Sequence, residues 1–221
     1  MRQYKHFKGI YGDGKKIYTK NLLPGRTVYD ERLVKSKGEE YREFNHRKSK
    51  LGAGLLKGIS QMGIKPGSVV LYLGASTGTT VSHVSDIVGK EGFIFALDFA
   101  PRVVRELVFL AEDRPNIAPL LEDAFHPKNY VDKVSSAEVI FQDIAQRNQV
   151  EIFLKNVDMF LEEDGFAILA LKARSYDVTL KPNIVFRKVR AELEKKLKVV
   201  DYKSLSPYEK DHAIFVCKRK T

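Results

Sequence analysis

The chain has 221 residues, of which 43% are hydrophobic and 30% charged, a balance typical of a soluble globular protein. Its single cysteine, Cys217, excludes an internal disulfide and a cysteine-based metal cluster, and it fits a reducing cytoplasm. No apolar run is long enough for a signal peptide or a membrane span. We therefore expect a cytoplasmic protein with no membrane partner and no metal.

The net charge of +10 is unevenly distributed. Residues 1–50 and residues 172–221 each contain 14 Lys and Arg against 6 Asp and Glu, whereas residues 51–171 contain 10 against 16. Such a distribution draws a polyanion such as RNA to the two ends and leaves the middle for a neutral or cationic ligand. The alternative is that the basic residues only solvate the surface.

Residues 1–47 are predicted to form a small N-terminal β-hairpin module. Two turns that contain glycine, Asp13-Gly14 and Lys37-Gly38, each separate two short strand-forming runs, which is the pattern of a hairpin. The runs are Phe7–Tyr11 with Lys16–Thr19, and Arg32–Lys35 with Glu40–Phe44. Pro24-Gly25 predicts the turn that joins the two hairpins.

Residues 48–221 alternate between helical and strand patterns. The predicted helices are Ser49–Met62, Thr79–Val88, a helix from Pro101, Gln146–Phe160 and Pro182–Lys196. The predicted strands are Val69–Leu73, Phe93–Leu97, Ile117–Leu121, Val139–Phe141, Phe166–Leu171, Lys198–Ser204 and Ala213–Lys218. Alternation predicts an α/β fold with a parallel sheet, and the last two strands, with no helix between them, add an antiparallel edge. This Rossmann-like, seven-stranded mixed sheet is typical of class I S-adenosylmethionine-dependent methyltransferases.

The loop Gly74–Thr80 joins the first of these strands to a helix. Its glycines are spaced Gly-x-x-x-Gly, which argues against the Gly-x-Gly-x-x-Gly cradle for a pyrophosphate. The free N–H groups at the helix start suit a smaller anion, such as the carboxylate of a methionine. Glycine-rich turns of this kind also occur for structural reasons alone.

Acidic residues end the next three strands. Asp98 can accept hydrogen bonds from ribose hydroxyls, and Phe99 beside it offers an apolar face to adenine. Asp123 can accept from the adenine amino group, Ala124 leaves room for the ring, and Asp143 ends the following strand. Each acid alone is more often a loop cap, but their coincidence at successive strand ends favours a pocket for S-adenosylmethionine.

Methyl transfer to a hydroxyl needs an oriented oxygen and a group that helps to remove its proton. Lys172 and His212 flank strand ends near Asp143, and Lys50 starts the first helix. Clustered cations favour the neutral form of a lysine, which could then accept the proton or hold the alkoxide. Alternatively, these are surface lysines and a packed loop histidine.

Several motifs together resemble archaeal fibrillarin. They are Ser49-Lys50-Leu51, the run Leu71–Asp86 with Gly-Thr-Thr-x-Ser-His-Val-Ser-Asp, Gln142–Gln146, Lys172–Ser175 and Glu209-Lys210-Asp211-His212. The resemblance covers nearly the whole chain, and it implies a catalytic tetrad and a cofactor site. The tetrad falls on Lys50, Asp143, Lys172 and His212. With the loop, the cofactor-binding residues are Gly74, Ala75, Thr79, Thr80, Asp98, Phe99, Asp123, Ala124, Asp143, Ile144, Ala145 and Gln146.

The resemblance implies an RNA ribose 2′-O-methyltransferase of pre-rRNA and tRNA. It further implies that the chain is the catalytic subunit of a ribonucleoprotein with box C/D guide RNA, a Nop-domain scaffold protein and a kink-turn-binding relative of a ribosomal protein. The alternatives are a stand-alone RNA methyltransferase, a small-molecule methyltransferase and a non-catalytic RNA-binding subunit.

Overall fold

The computed structural model describes residues 1–12 and 15–220. Within these ranges the chain forms a small antiparallel sheet followed by a seven-stranded mixed sheet with helices. The predicted α/β class with a small N-terminal β module is therefore confirmed. Among the described helices, none is long and apolar enough to cross a membrane.

The N-terminal sheet has the strand order β1-β2-β3-β5-β4, and every neighbouring pair is antiparallel. Its strands are β1 (Arg2–Gln3), β2 (Ile10–Gly12), β3 (Ile17–Lys20), β4 (Leu33–Ser36) and β5 (Glu39–Glu43). The second predicted hairpin is confirmed, because β4 and β5 pair around Lys37-Gly38. In the first hairpin β2 pairs with β3, but it begins at Ile10 rather than at Phe7. The predicted turn residues Asp13 and Gly14 lie outside the described residues.

The main sheet has the strand order β11-β12-β10-β9-β6-β7-β8. Its strands are β6 (Val69–Leu73), β7 (Phe93–Asp98), β8 (Ile117–Leu121), β9 (Ala137–Gln142), β10 (Leu161–Lys172), β11 (Leu197–Ser204) and β12 (His212–Arg219). The strands β10, β9, β6, β7 and β8 run parallel, while β12 is antiparallel to both β10 and β11. The carboxyl ends of the five parallel strands therefore meet at one edge, together with the amino end of β12.

The helices connect these strands. They are α1 (Lys50–Leu56), α2 (Thr79–Val88), α3 (Pro101–Asp113), α4 (Gln149–Phe160), the short α5 (Ala173–Tyr176) and α6 (Pro182–Lys196), with a 3-10 turn at Pro127–Tyr130. The bounds predicted for α2 and α6 are confirmed.

Two predicted helix ends are wrong. We expected the first helix to continue to Met62, but it ends at Leu56, since Gly58 adopts a left-handed conformation with φ of 81°. This conformation stops a helix and is accessible to glycine at little cost. The fourth helix begins at Gln149 rather than Gln146, because the preceding residues form the loop that leaves β9.

The two sheets share one hydrophobic core. Phe7, Ile10, Ile17 and Phe44 of the N-terminal module belong to the same buried cluster as side chains of α1 and α2. A second cluster covers the opposite face of the main sheet beneath α4 and α6. The N-terminal sheet is thus packed against α1 and α2. A domain boundary at residues 47 and 48 stays a prediction.

A network of buried charges also joins the two sheets. Arg42 of β5 lies between Glu31 and Asp86, and Arg114 reaches the other oxygen of Asp86 at 2.8 Å. The side chains of these four residues are at most 2% exposed. Because buried charges are tolerated only when paired, this network fixes the N-terminal sheet against α2.

Candidate active site

A cavity of about 290 Å³ opens at the carboxyl ends of β6, β7, β8 and β9. Its lining residues are Gly74, Ser76, Leu97, Asp98, Phe99, Asp123, Ala124, Asp143, Ile144, Ala145, Gln146 and Ile152. Nine of the twelve cofactor-binding residues predicted from the sequence are in this set. Such a crevice outside the strand ends is where parallel α/β sheets bind ligands.

The glycines of the loop after β6 are required by its geometry. Gly74 has a φ of 81°, and a Cβ there would overlap the carbonyl oxygen of Asp143. Gly78 has a φ of 89°, and a Cβ there would overlap the side chain of Leu110. Gly74 lets the loop approach the end of β9 closely, and α2 then starts at Thr79 with free N–H groups.

The two predicted adenosine-binding acids cap loops and line the cavity at the same time. Asp98 accepts hydrogen bonds from the backbone N–H of Ser76 at 2.9 Å and of Ala100 at 3.1 Å, and Asp123 accepts from Phe125 N–H at 2.9 Å. An ionised carboxylate has about four acceptor positions, so each acid retains capacity for a ligand. Each acid can therefore cap its loop and bind a ligand at the same time.

Phe99 is 63% exposed although it is a large apolar residue, and it lines the cavity. An exposed aromatic face at the rim of the cavity is suited to stacking on a purine. This exposure distinguishes Phe99 from the many buried aromatic residues of the fold.

Three predicted cofactor-binding residues, Ala75, Thr79 and Thr80, do not line the cavity. Thr80 is buried, and its hydroxyl donates to Ser49 Oγ at 3.0 Å. Ser49 in turn caps α1 by accepting from the N–H of Gly52. The Thr80 side chain therefore supports the start of α1, and its backbone N–H is the group left for a ligand at the N-terminus of α2.

The predicted catalytic residues meet beside this cavity. Lys50, the first residue of α1, places its Nζ 2.9 Å from Oδ2 of Asp143. Their side chains are 25% and 19% exposed, so the pair is open to solvent on one side. Asp143 also lines the cavity, so its carboxylate lies between Lys50 and the candidate cofactor site.

His212 lies opposite Lys172 in the antiparallel pairing of β10 and β12. Burial lowers the pKa of His212, and the nearby charge of Lys50 acts in the same direction, whereas the hydrogen bond to Lys210 and the acids Glu209 and Asp143 oppose the shift. The neutral imidazole is thereby favoured near pH 7. Its Nδ1 lies 2.7 Å from the carbonyl oxygen of Lys210, which can only accept, so Nδ1 carries the hydrogen and Nε2 has a free lone pair.

Lys172 is exposed at the end of β10, and no side-chain contact ties its ammonium among the described residues. Its backbone is held by the fully buried Gln149, whose amide exchanges two hydrogen bonds of 3.3 Å with the N–H and carbonyl of Lys172. The same amide donates to the carbonyl of Gln146 at 2.8 Å. Sequence reasoning included Gln149 in a motif of the resemblance but gave it no role, because the sequence does not show that its side chain is buried.

The charge of the cavity lining indicates which cofactor fits it. Three carboxylates and no basic side chain occur among the described lining residues. Such a surface suits a ligand with ribose hydroxyls, an adenine amino group and a positively charged sulfur, and it disfavours a pyrophosphate. The residues present therefore fit S-adenosylmethionine.

The strand order, the antiparallel β12 and this cavity at the ends of β6 to β9 together define a class I S-adenosylmethionine-dependent methyltransferase fold. The family model described as fibrillarin matches residues 1–221. The chain belongs to the fibrillarin family, and the resemblance stated from its motifs is confirmed.

Similar proteins support this assignment over the full length of the chain. The fibrillarin-like rRNA/tRNA 2′-O-methyltransferase of Thermococcus onnurineus is 52% identical, covering 99% of this chain and 100% of the relative. A solved structure of the fibrillarin pre-rRNA processing protein of Methanococcus jannaschii has a TM-score of 0.92 at 46% identity, with 96% and 95% of the two chains covered.

Two further solved structures carry information about ligands. Aeropyrum pernix fibrillarin in complex with natively bound S-adenosyl-L-methionine has a TM-score of 0.89 and 41% identity, and the match covers 98% of this chain and 96% of that one. A fibrillarin/Nop5p complex contains a chain with a TM-score of 0.89 and 39% identity, covering 97% and 99%.

Proposed function

We propose that this protein transfers the methyl group of S-adenosylmethionine to ribose 2′-hydroxyl groups of rRNA and tRNA. The observation that carries the proposal is the contact of Lys50 with Asp143, next to His212 and at the rim of a cavity lined by carboxylates. Membership of a family whose curated relatives are named rRNA/tRNA 2′-O-methyltransferases supports the choice of substrate.

In this proposal the cofactor occupies the cavity at the strand ends. Asp98 accepts hydrogen bonds from the ribose, Asp123 from the adenine amino group, and Phe99 stacks on the ring. The backbone N–H groups at the N-terminus of α2 bind the carboxylate of the methionine part. The segment Ile144 to Gln146 forms the remaining wall.

The chemistry divides between the cofactor and the four charged or titratable residues. When bound, S-adenosylmethionine supplies a methyl group on a positively charged sulfur, which an oxygen nucleophile can attack in line. Nε2 of the neutral His212 accepts the proton of the 2′-hydroxyl, while Lys50, oriented by Asp143, stabilises the negative charge that develops on the oxygen. Lys172 binds the same oxygen or the adjacent phosphate.

The proposed assembly contains further components. Because a relative forms a complex with Nop5p, we propose a Nop-domain scaffold protein as partner of this chain. Box C/D guide RNA would select the target nucleotide, and a kink-turn-binding relative of a ribosomal protein would complete the particle in the cytoplasm. The basic residues at both ends of the chain are complementary to these RNAs.

The proposal is tested by transfer of labelled methyl groups to RNA, with and without guide RNA and scaffold protein. We expect incorporation into the ribose of one nucleotide that the guide selects, and no incorporation when that nucleotide carries a 2′-deoxyribose. Incorporation that needs no guide would indicate a stand-alone enzyme. Absence of both transfer and calorimetric S-adenosylmethionine binding would indicate a non-catalytic RNA-binding subunit.

A further inference from the structure

A second cavity, of about 650 Å³, lies between the start of α6 and the segment that precedes β12. Its lining residues are Lys181, Pro182, Asn183, Ile184, Phe186, Arg187, Ser204, Ser206, Lys210 and Asp211. We refer to it as the α6 groove. None of its residues belongs to the predicted cofactor site or to the four predicted catalytic residues.

The α6 groove carries an excess of positive charge. Lys181, Arg187 and Lys210 line it, are exposed, and form no ion pair among the residues that the structure describes. The acidic side chain in the lining, Asp211, is neutralised by Arg174, whose Nε lies 2.7 Å from its Oδ2. The groove thus presents three cations and no free acid to a ligand.

One wall of the α6 groove is continuous with the candidate active site. The carbonyl of Lys210 holds the ring of His212 at 2.7 Å, and the carbonyl of Asp211 accepts from the N–H of Ala173, next to Lys172, at 2.9 Å. A chain of phosphates in the groove would therefore lie directly beside Lys172 at the end of β10 and His212 at the start of β12.

The opposite end of α6 is also basic but differs in its surroundings. Lys196 there is paired with Asp158 at 2.7 Å. Lys195 lies in the last turn of α6, and Lys198 lies at the start of β11, opposite Lys218 at the other end of β12 from His212. The C-terminal positive charge of the sequence is thus divided between one group of cations that adjoins the active site and one that does not.

We propose that the α6 groove binds the sugar–phosphate backbone of the RNA strand beside the acceptor nucleotide, with Lys181 and Arg187 contacting phosphates. The apolar side chains of Pro182 and Ile184 in the lining pack against riboses between these phosphates. This inference rests on the proposed function, because it assigns the path of the RNA that the active site modifies.

The test compares two double variants with the same change in charge. Lys181→Gln/Arg187→Gln alters the α6 groove, and the control Lys195→Gln/Lys198→Gln alters the end of α6 and the start of β11. The affinity of the full chain for labelled RNA is measured by fluorescence anisotropy over a series of salt concentrations, and S-adenosylmethionine affinity is measured by calorimetry.

We expect the groove variant to bind RNA more weakly by roughly tenfold or more at low salt. With each lost phosphate contact fewer counterions are released on binding, and this release favours binding. The negative slope of log affinity against log salt concentration should become less steep by about 1 to 2. The control variant should change both quantities much less, and neither variant should change the affinity for S-adenosylmethionine.

Equal losses in the two double variants would overturn the inference, because the effect would then be one of overall charge. Unchanged RNA affinity of the groove variant would overturn it as well. Since RNA binding is measured without reaction, a groove-dependent affinity in a chain that transfers no methyl group supports the inference while rejecting the proposed function.

Discussion

Two clusters of charged side chains in this molecule have similar chemistry and different access to solvent. In the buried network, Arg42 and Asp86 contact each other at 2.9 Å with both side chains fully buried. In the open cluster, Lys50 and Asp143 contact each other at the same distance but remain 25% and 19% exposed. Distance alone therefore does not distinguish a structural ion pair from one that we propose to be catalytic.

The difference lies in which hydrogen-bonding positions are left free. Both carboxylate oxygens of Asp86 are occupied, by Thr19 and Arg42 on one side and by Leu22 N–H and Arg114 on the other. In the open cluster, Nε2 of His212 has no hydrogen-bond partner among the described residues, and the ammonium of the exposed Lys172 keeps its donor positions free. Saturated groups hold the fold together, and unsaturated groups remain available for a substrate.

Removal of the carboxylate at the centre of the buried network should have the largest effect on stability. Asp86→Ala leaves Arg42 and Arg114 buried with one partner fewer, and we expect a loss of about 3 to 5 kcal/mol in the free energy of unfolding. Denaturant titration measures this loss. The control Asp158→Ala breaks the exposed pair with Lys196 and should cost about 1 kcal/mol or less. Similar losses in both variants would contradict a structural role that depends on burial.

The pH dependence of methyl transfer should sharpen the assignment of the base. Burial lowers the pKa of His212 below its usual 6.5, and only the neutral ring accepts a proton. The rate should therefore rise with pH through this lowered pKa and stay level above about pH 7. His212→Asn should reduce the rate by about 100-fold and remove this dependence. A rate that climbs from about pH 7.5 to 9 would instead assign the proton transfer to a lysine.

A smaller effect is expected at the rim of the cofactor cavity. Phe99→Ala removes the proposed stacking surface, worth about 1 to 3 kcal/mol for a base on an aromatic ring, and should weaken S-adenosylmethionine binding by roughly tenfold. Calorimetry gives the dissociation constant. The control Phe109→Ala removes another exposed phenylalanine, on α3 and outside the cavity lining. An equal loss in both variants would show that Phe99 does not contact the cofactor.

The sequence was sufficient for the parts of the fold that depend on local patterns. Continuous apolar runs located each parallel strand, and the helical patterns between the strands gave the bounds of α2 and α6. Because the carboxyl ends of parallel strands share one edge, the strand pattern alone places Asp98, Asp123 and Asp143 in one cavity. Their positions at helix and strand ends made Lys50 and His212 candidates, and the motif resemblance favoured a catalytic role over that of surface or packed loop residues.

Other features depend on distant contacts and were not predictable. The full burial of Arg42 requires Glu31 of the N-terminal module and both Ser82 and Asp86 of α2, so its charge was attributed to the basic N-terminal surface. The sequence also gives no direction for the Thr80 side chain, which the structure turns towards Ser49. The end of α1 was predicted wrongly, because the pattern of apolar residues does not indicate that Gly58 adopts a positive φ.

Asp143→Ala, measured for transfer and for stability in the same preparation, tests the central claim most directly. The variant removes the carboxylate that both orients Lys50 and lines the cofactor cavity. We predict that methyl transfer to RNA is abolished while the free energy of unfolding changes by about 1 kcal/mol or less, because the pair is partly exposed. Full transfer activity in the folded variant would contradict the account.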